Sequence, residues 1–260
     1  MGKFQVFLQK EWRENCRNFK ILWIPLFFII FGVMEPLTNY YLPEIMKSVG
    51  NLPEGMEFIW PEFTGEEIFI SLLGQYQTIG ILVIVLALMG SISGERKNGT
   101  ATLVYVRPIS FGQYYLSKWV VLGSLTIVSL FLGFLSAWYY IEMLFSHVNF
   151  MQLLEFFGVY SLWILFVVTV TLTCSATFST GIAATISLMI TLVFQVIESI
   201  LGAYWSVSPW KLSMYATETL NGSLEVSNLW WSVLVTLFLI FVLMIFGIFM
   251  LKKNASKITI

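Results

Sequence analysis

Fifteen glutamates, no aspartate, one histidine (His147) and two cysteines (Cys16 and Cys174) are the chain's whole stock of carboxylate, imidazole and thiol groups. Hydrolysis inside a membrane needs a nucleophile with a base, paired aspartates or a set of metal ligands. Glu66 and Glu67 are the only adjacent carboxylates, and no second histidine exists to complete a metal site beside them. The cysteines are far apart in segments read below as cytoplasmic or buried, so they suggest no disulfide framework. Gly94 to Thr100 reads GERKNGT, which sets two glycines at the interval of a phosphate-binding loop. That loop requires Lys directly after the second glycine, to reach the phosphates, and here Thr100 takes its place. The sequence therefore offers no catalytic residues and no metal site, and any nucleotide must be hydrolysed elsewhere. Three polar residues remain in apolar surroundings: Glu11, Gln195 and Glu198.

The elements that position these groups follow from composition. Hydrophobic types make up 58% of the 260 residues and charged types only 11%, against about 25% charged in a soluble domain. Such a surface belongs in lipid. Six apolar stretches stand out as candidate crossings: Ile21 to Val33, Thr78 to Ser93, Trp119 to Ile141, Phe156 to Phe178, Gly181 to Leu201 and Leu229 to Leu251. Glu35 and Pro36 interrupt the first early, although Leu37 to Leu42 extends it if the helix continues beyond a kink. The second extends back as far as Ile68. The expected architecture is all-α: an amino-terminal interfacial helix over residues 1–20 and a six-span domain over 21–260. Its inner loop is 94–118, and its outer segments are 35–67 and 202–228.

Positive charge sets the orientation. Lys3, Lys10, Arg13, Arg17 and Lys20 precede the first span, Arg96, Lys97, Arg107 and Lys118 lie between the second and third, and Lys252, Lys253 and Lys257 follow the last. Only Lys47 and Lys211 fall on the other side, so both termini are expected in the cytoplasm of a plasma-membrane protein. The near-zero net charge gives no case for nucleic acid. A signal peptide is not indicated, because some 20 polar and amphipathic residues precede the first span.

At about 100° per residue, Phe4, Phe7, Leu8, Trp12, Cys16 and Phe19 share one side of a helix, while Lys3, Lys10, Arg13, Arg17 and Lys20 lie on the other. This pattern predicts a helix lying along the inner leaflet. Glu11 falls within the apolar arc, where a lone carboxylate is costly, so a cationic or hydrogen-bonding partner is expected for it. Glu198 raises the same requirement in the fifth span, with Gln195 and Ser199 beside it, and must avoid lipid. The outer stretch 202–228 carries Trp205, Pro209, Trp210 and Tyr215 and is amphipathic enough to dip back into the membrane or to form an aromatic belt.

The inner loop, 25 residues with an apolar stretch from Leu103 to Val106, exceeds a connection of about 2–8 residues and reads as a surface that docks something, or as a second interfacial helix. Here Glu95, Gly99-Thr100, Leu103, Arg107-Pro108-Ile109-Ser110 and Lys118, directly after a second span, resemble the type 2 ABC transporter permease family. Lys10-Glu11 in an amphipathic helix, six spans and Ser208-Pro209 before the last span resemble it too, over nearly the whole chain.

The resemblance implies a membrane half-transporter, exporting an amphipathic or lipophilic substrate such as a peptide, lipid or drug. Two copies of a cytoplasmic ABC ATPase, carrying the ATP and Mg, and a second permease chain, the same or related, complete it. On that basis Glu11, Glu95, Gly99, Thr100, Leu103, Arg107 and Pro108 are the expected coupling residues, and 202–228 forms short re-entrant helices. Cofactors within this chain are not expected. A passive membrane scaffold or immunity protein has the same composition, and a neighbouring gene for an ATPase is what separates the two readings. An ion channel finds support only in Glu198.

Overall fold

A computed structural model describes residues 2–49, 63–100, 110–222 and 224–255. Helix α1 (Lys3–Arg17) is followed by α2 (Lys20–Val49), whose apolar part is span one. The helix runs on past Pro36 and carries Pro25, Pro36 and Pro43 within it, so the continuation beyond Glu35 is the path the chain takes. In lipid the backbone must satisfy its polar groups internally, and this keeps a proline-bearing segment helical. Glu35, read from sequence as the start of an outer segment, is 6% exposed inside span one and accepts hydrogen bonds from Ser71, Gln75 and Asn39.

Span two (Gly65–Lys97) consists of α3 (Gly65–Gln75), a π-helical turn (Tyr76–Gly80), α4 (Ile81–Leu88) and α5 (Gly90–Lys97). Glu67 closes a capping box with Thr64 at its start, each side chain bonding the other's backbone N–H. Span three is α6 (Phe111–Leu144) and span four α7 (Phe150–Thr177). Span five (Thr180–Tyr204) contains α8 (Thr180–Leu188), a second π-helical turn (Met189–Val193) and α9 (Phe194–Leu201). A short 3-10 turn (Pro209–Lys211) then leads into α10 (Leu212–Asn221), and α11 (Val226–Ala255) is span six. These six helices are long and apolar enough to cross a membrane, and the protein is an all-α polytopic membrane protein.

Spans two, three and four form the centre, with half or more of their most apolar stretch buried, against 28%, 22% and 17% for spans one, five and six. The peripheral spans thus offer their apolar faces to lipid. Spans one and three touch at two glycines: a Cβ on Gly133 would lie 2.9 Å from the Phe28 carbonyl oxygen, and one on Gly32 2.7 Å from Ser136 Oγ. The π-helical turn in span two buries both Tyr76 and Gln77. Tyr76 donates to the Phe28 carbonyl at 2.6 Å and packs edge-on against Phe28 and Phe134. The Gln77 side-chain carbonyl oxygen accepts from Trp163 Nε1 at 2.9 Å and Tyr160 Oη at 3.3 Å, while its Nε2 is buried without a hydrogen-bond partner among the described residues.

Segment 202–222 does not leave the bundle. It folds back beside span four, where Trp210 packs against Trp163 and Phe166 near the middle of the 28-residue α7. Gly222, at φ +66°, ends α10 in the left-handed conformation that glycine adopts without strain.

Candidate functional site

The two ends of the bundle differ in charge. One, called the basic end, carries α1, the end of α5, the start of α6 and the end of α11; the other is the acidic end. At the basic end α1 lies against the beginning of span three and turns one strip of its surface inward. Phe4, Phe7 and Leu8 are partly buried there, and Glu11 and Asn15 fully so, while Trp12, Cys16 and Phe19 remain exposed. The apolar arc read from sequence is therefore divided between the protein and its surroundings. Phe7 meets the Tyr114 ring edge-on at 6.3 Å, and Asn15 Nδ2 donates to the Glu11 carbonyl at 2.8 Å.

Glu11 finds its cation in Lys118, in the second turn of α6. Lys118 Nζ is 2.9 Å from Glu11 Oε2 and 2.7 Å from Glu95 Oε1, and both Lys118 and Glu11 are at most 2% exposed. Lys10 Nζ closes the set at 2.9 Å from Glu11, 3.1 Å from Glu14 and 2.5 Å from Glu95. Tyr114 donates to the remaining oxygen of Glu95 at 2.5 Å, and the Lys118 ammonium lies 5.2 Å from the centre of its ring. Ligand oxygens of Glu11, Glu14 and Glu95 come within 4.8 Å of one another, but the two ammonium groups already stand where a cation would. Burial alone lowers the Lys10 pKa; the Glu11 and Glu95 carboxylates outweigh it and raise the pKa above the ordinary lysine value.

This cluster joins three elements that are distant in sequence: α1, the end of span two and the start of span three. Its members Glu95 and Lys118 lie near the two ends of the inner loop. At the near end Gly99 adopts φ +74°, a left-handed conformation that stops α5, and Thr100 Oγ1 donates to the Glu95 carbonyl at 3.1 Å. Of the residues singled out by sequence, Glu11 and Glu95 thus share Lys118 and Lys10 inside the protein, and Gly99 and Thr100 end α5. Leu103, Arg107 and Pro108 lie outside the described residues.

Over residues 5–254 the sequence matches the ABC-2 family transporter proteins. The chain belongs to that family. It is also similar to the uncharacterized transmembrane protein YxlG of Bacillus subtilis (strain 168), at 32% identity over 259 residues, 98% of this chain and 100% of the relative. As an ABC-2 protein it is a membrane transport component, a permease subunit of an ABC transporter.

The acidic end of this ABC-2 chain holds the other residues singled out by sequence. The Glu198 carboxylate accepts from Trp205 Nε1 at 2.8 Å and Ser208 Oγ at 3.0 Å, and its other oxygen lies 3.5 Å from Lys211 Nζ. It is thereby kept from lipid, and Gly202 makes room for it, since a Cβ there would stand 2.7 Å from Glu198 Oε1. Gln195 Nε2 reaches Ser213 Oγ at 3.4 Å. Both residues of span five therefore hold the returning segment.

Sequence reasoning did not single out Lys10, Asn15, Tyr114 or Lys118 as site residues. Glu11 in an apolar arc called for a cation, and that need is the one signal in the sequence that points toward Lys118, which entered the reading only as a topology charge and through the resemblance.

Proposed function

We propose that this chain is the membrane half of an exporter, working with a second permease chain, the same or related, and with two copies of a separate ATPase that carries ATP and Mg. The basic end faces the cytoplasm, where the inner loop meets the ATPase. The observation that carries this reading is the buried cluster of Glu11, Lys118, Glu95 and Lys10. A push on the inner loop acts on Glu95 and Lys118 together, and through Glu11 it also moves α1, so loop and amino-terminal helix behave as one lever. Glu95 acts from inside that lever, as the residue that holds it together. Gly99 and Thr100 set the exit angle of the loop, and Leu103, Arg107 and Pro108 supply the surface that touches the ATPase.

The positive charges at the basic end support the cytoplasmic assignment. An amphipathic or lipophilic substrate is the cargo class that the family resemblance implies. No nucleotide chemistry falls to this chain, because Thr100 stands where a phosphate-binding lysine is required.

The test is co-reconstitution in vesicles with an ABC ATPase identified by copurification with the chain, using a fluorescent amphiphile as cargo. Glu95→Gln, or exchange of the Gly99-Thr100 pair, is expected to leave membrane insertion and ATP hydrolysis intact while transport per ATP is lost. Unchanged transport in both variants contradicts the lever.

A further inference from the structure

Glu95 has a neighbour that faces the opposite way. Arg96 extends from α5 to the end of span four, where Nη1 donates to the Ala176 carbonyl at 2.8 Å and Nη2 donates to the Phe178 carbonyl. Asn254, near the end of span six, donates to the same Ala176 carbonyl at 2.9 Å and to that of Thr177 at 3.3 Å. These are the last carbonyls of a helix, which find no partner within it. The service is returned. Ser175 Oγ accepts from the backbone N–H groups of Ile92 and Ser93, in the first turn of α5, at 3.1 and 3.0 Å, and donates to the Met89 carbonyl at 2.6 Å. Ser93 Oγ then meets Thr180 Oγ1, the first residue of span five, at 2.8 Å. The end of span two and the turn from span four to span five thus cap one another.

Span five begins at that turn and is fastened at its far side to the returning segment. Its π-helical turn departs from the regular hydrogen-bond ladder, and the Ile190 carbonyl there accepts from Trp210 Nε1 at 3.2 Å. Further along, Gln195 bonds Ser213, and Glu198 bonds Trp205, Ser208 and Lys211. Between these fastenings Ala183, Ser187 and Thr191 pack inward, but only 22% of the most apolar stretch of span five is buried, so it is held less tightly than spans two, three and four.

We infer that span five is a connecting rod between the basic end and the returning segment, and that Arg96 is the positioning residue that fastens it to α5. The inference rests on the lever reading above and extends it: α5 is a node, with Glu95 tied to α1 and span three and Arg96 tied to the head of span five. Movement of the inner loop is delivered along span five to Trp210 and Lys211. By reciprocity, a ligand that displaces the returning segment changes nucleotide affinity at the other end by the same factor.

The experiment uses the full chain with its ATPase in nanodiscs, with Cys16 and Cys174 replaced by Ser and Ala. Spin labels are placed at Tyr139→Cys in span three and Ile200→Cys in span five, both exposed positions. Mg-ATP is expected to shift the distance between them. Arg96→Gln is expected to abolish the shift while the resting distance, co-purification and ATP hydrolysis stay as in the parent, and Arg96→Lys, which keeps one donor, restores part of it. A full shift in Arg96→Gln, or no shift in the parent, overturns the rod. Loss of ATPase association in the parent instead overturns the lever reading on which it rests, so the two failures are told apart.

Discussion

Replacing Lys118 with Met leaves the carboxylates of Glu11 and Glu95 buried with one fewer cation. Removing one partner of a buried ion pair costs about 3–5 kcal/mol. Lys10 still touches both carboxylates and is 40% exposed, so the low end, about 3 kcal/mol, is the better figure. At about 1.4 kcal/mol per decade this raises the open fraction of α1 roughly a hundredfold. Asn15, 4% exposed on the inward face of α1, gives the assay: in a Cys16→Ser background, an Asn15→Cys thiol reacts with a membrane-impermeant maleimide only when the helix lifts. Labelling in Lys118→Met is expected to be faster by about that factor. Glu11→Gln combined with Lys118→Met is expected to be less harmful than the two effects summed, because removing both charges leaves fewer of them unpaired. Equal labelling rates with and without Lys118 refute the claim that the cluster holds α1 in place.

The pH dependence of α1 docking follows from Lys10. Its folded pKa is raised, so its contribution is fully present below the unfolded value of about 10.5 and is lost only as pH rises through the higher folded value. The Asn15→Cys labelling rate, corrected for thiol ionisation, is therefore expected to stay flat from about pH 6 to about pH 9, and a rise on the alkaline side within that window counts against the assignment. Glu218, between spans five and six, has its pKa raised by partial burial and by Glu225, against a smaller opposite pull from Lys211. The charged form is thus disfavoured in the fold, so Glu218→Gln should raise the melting temperature near about pH 8, with the gain shrinking toward about pH 5 as the native carboxyl takes up its proton. Gly133→Ala brings a methyl against Phe28 and the Tyr76 hydroxyl and is expected to cost about 1–3 kcal/mol through overpacking, seen as a lower melting temperature. Wild-type stability there would mean that spans one and three are not held so close.

Much of the fold was legible because lipid imposes a length and a composition on every crossing. The spans appear in the sequence as runs of apolar residues, and their edges are blurred where helices continue beyond the apolar run, as α2 does past Glu35 and Pro36. Proline and glutamate read as stops in water; here the carboxylate is satisfied by Asn39, one turn on in the same helix, and by Ser71 and Gln75, which no local pattern connects to Glu35. At the candidate site, Glu11 declared its need through its place in an apolar arc, yet the sequence could not say that Lys118 answers it, since that contact depends on how α1 turns beneath span three. Arg96 was invisible for a related reason. A basic residue at the end of a span reads as a topology signal, and only the packed structure shows it capping the carbonyls of another helix. Gly99 was marked by resemblance as part of a motif, and its φ of +74° supplies the physical reason for a glycine there.

If this ABC-2 chain is a lever moved by another polypeptide, with the buried cluster as its joint, an ATPase must bind it and feel that cluster. The decisive experiment titrates the purified ATPase onto the chain in nanodiscs while following both binding and ATP turnover. No turnover by the chain alone is expected, with saturable binding of the ATPase that is weakened by about tenfold or more in Lys118→Met, matching about 1.4 kcal/mol. ATP turnover by the chain alone, or undiminished binding to Lys118→Met, would contradict it.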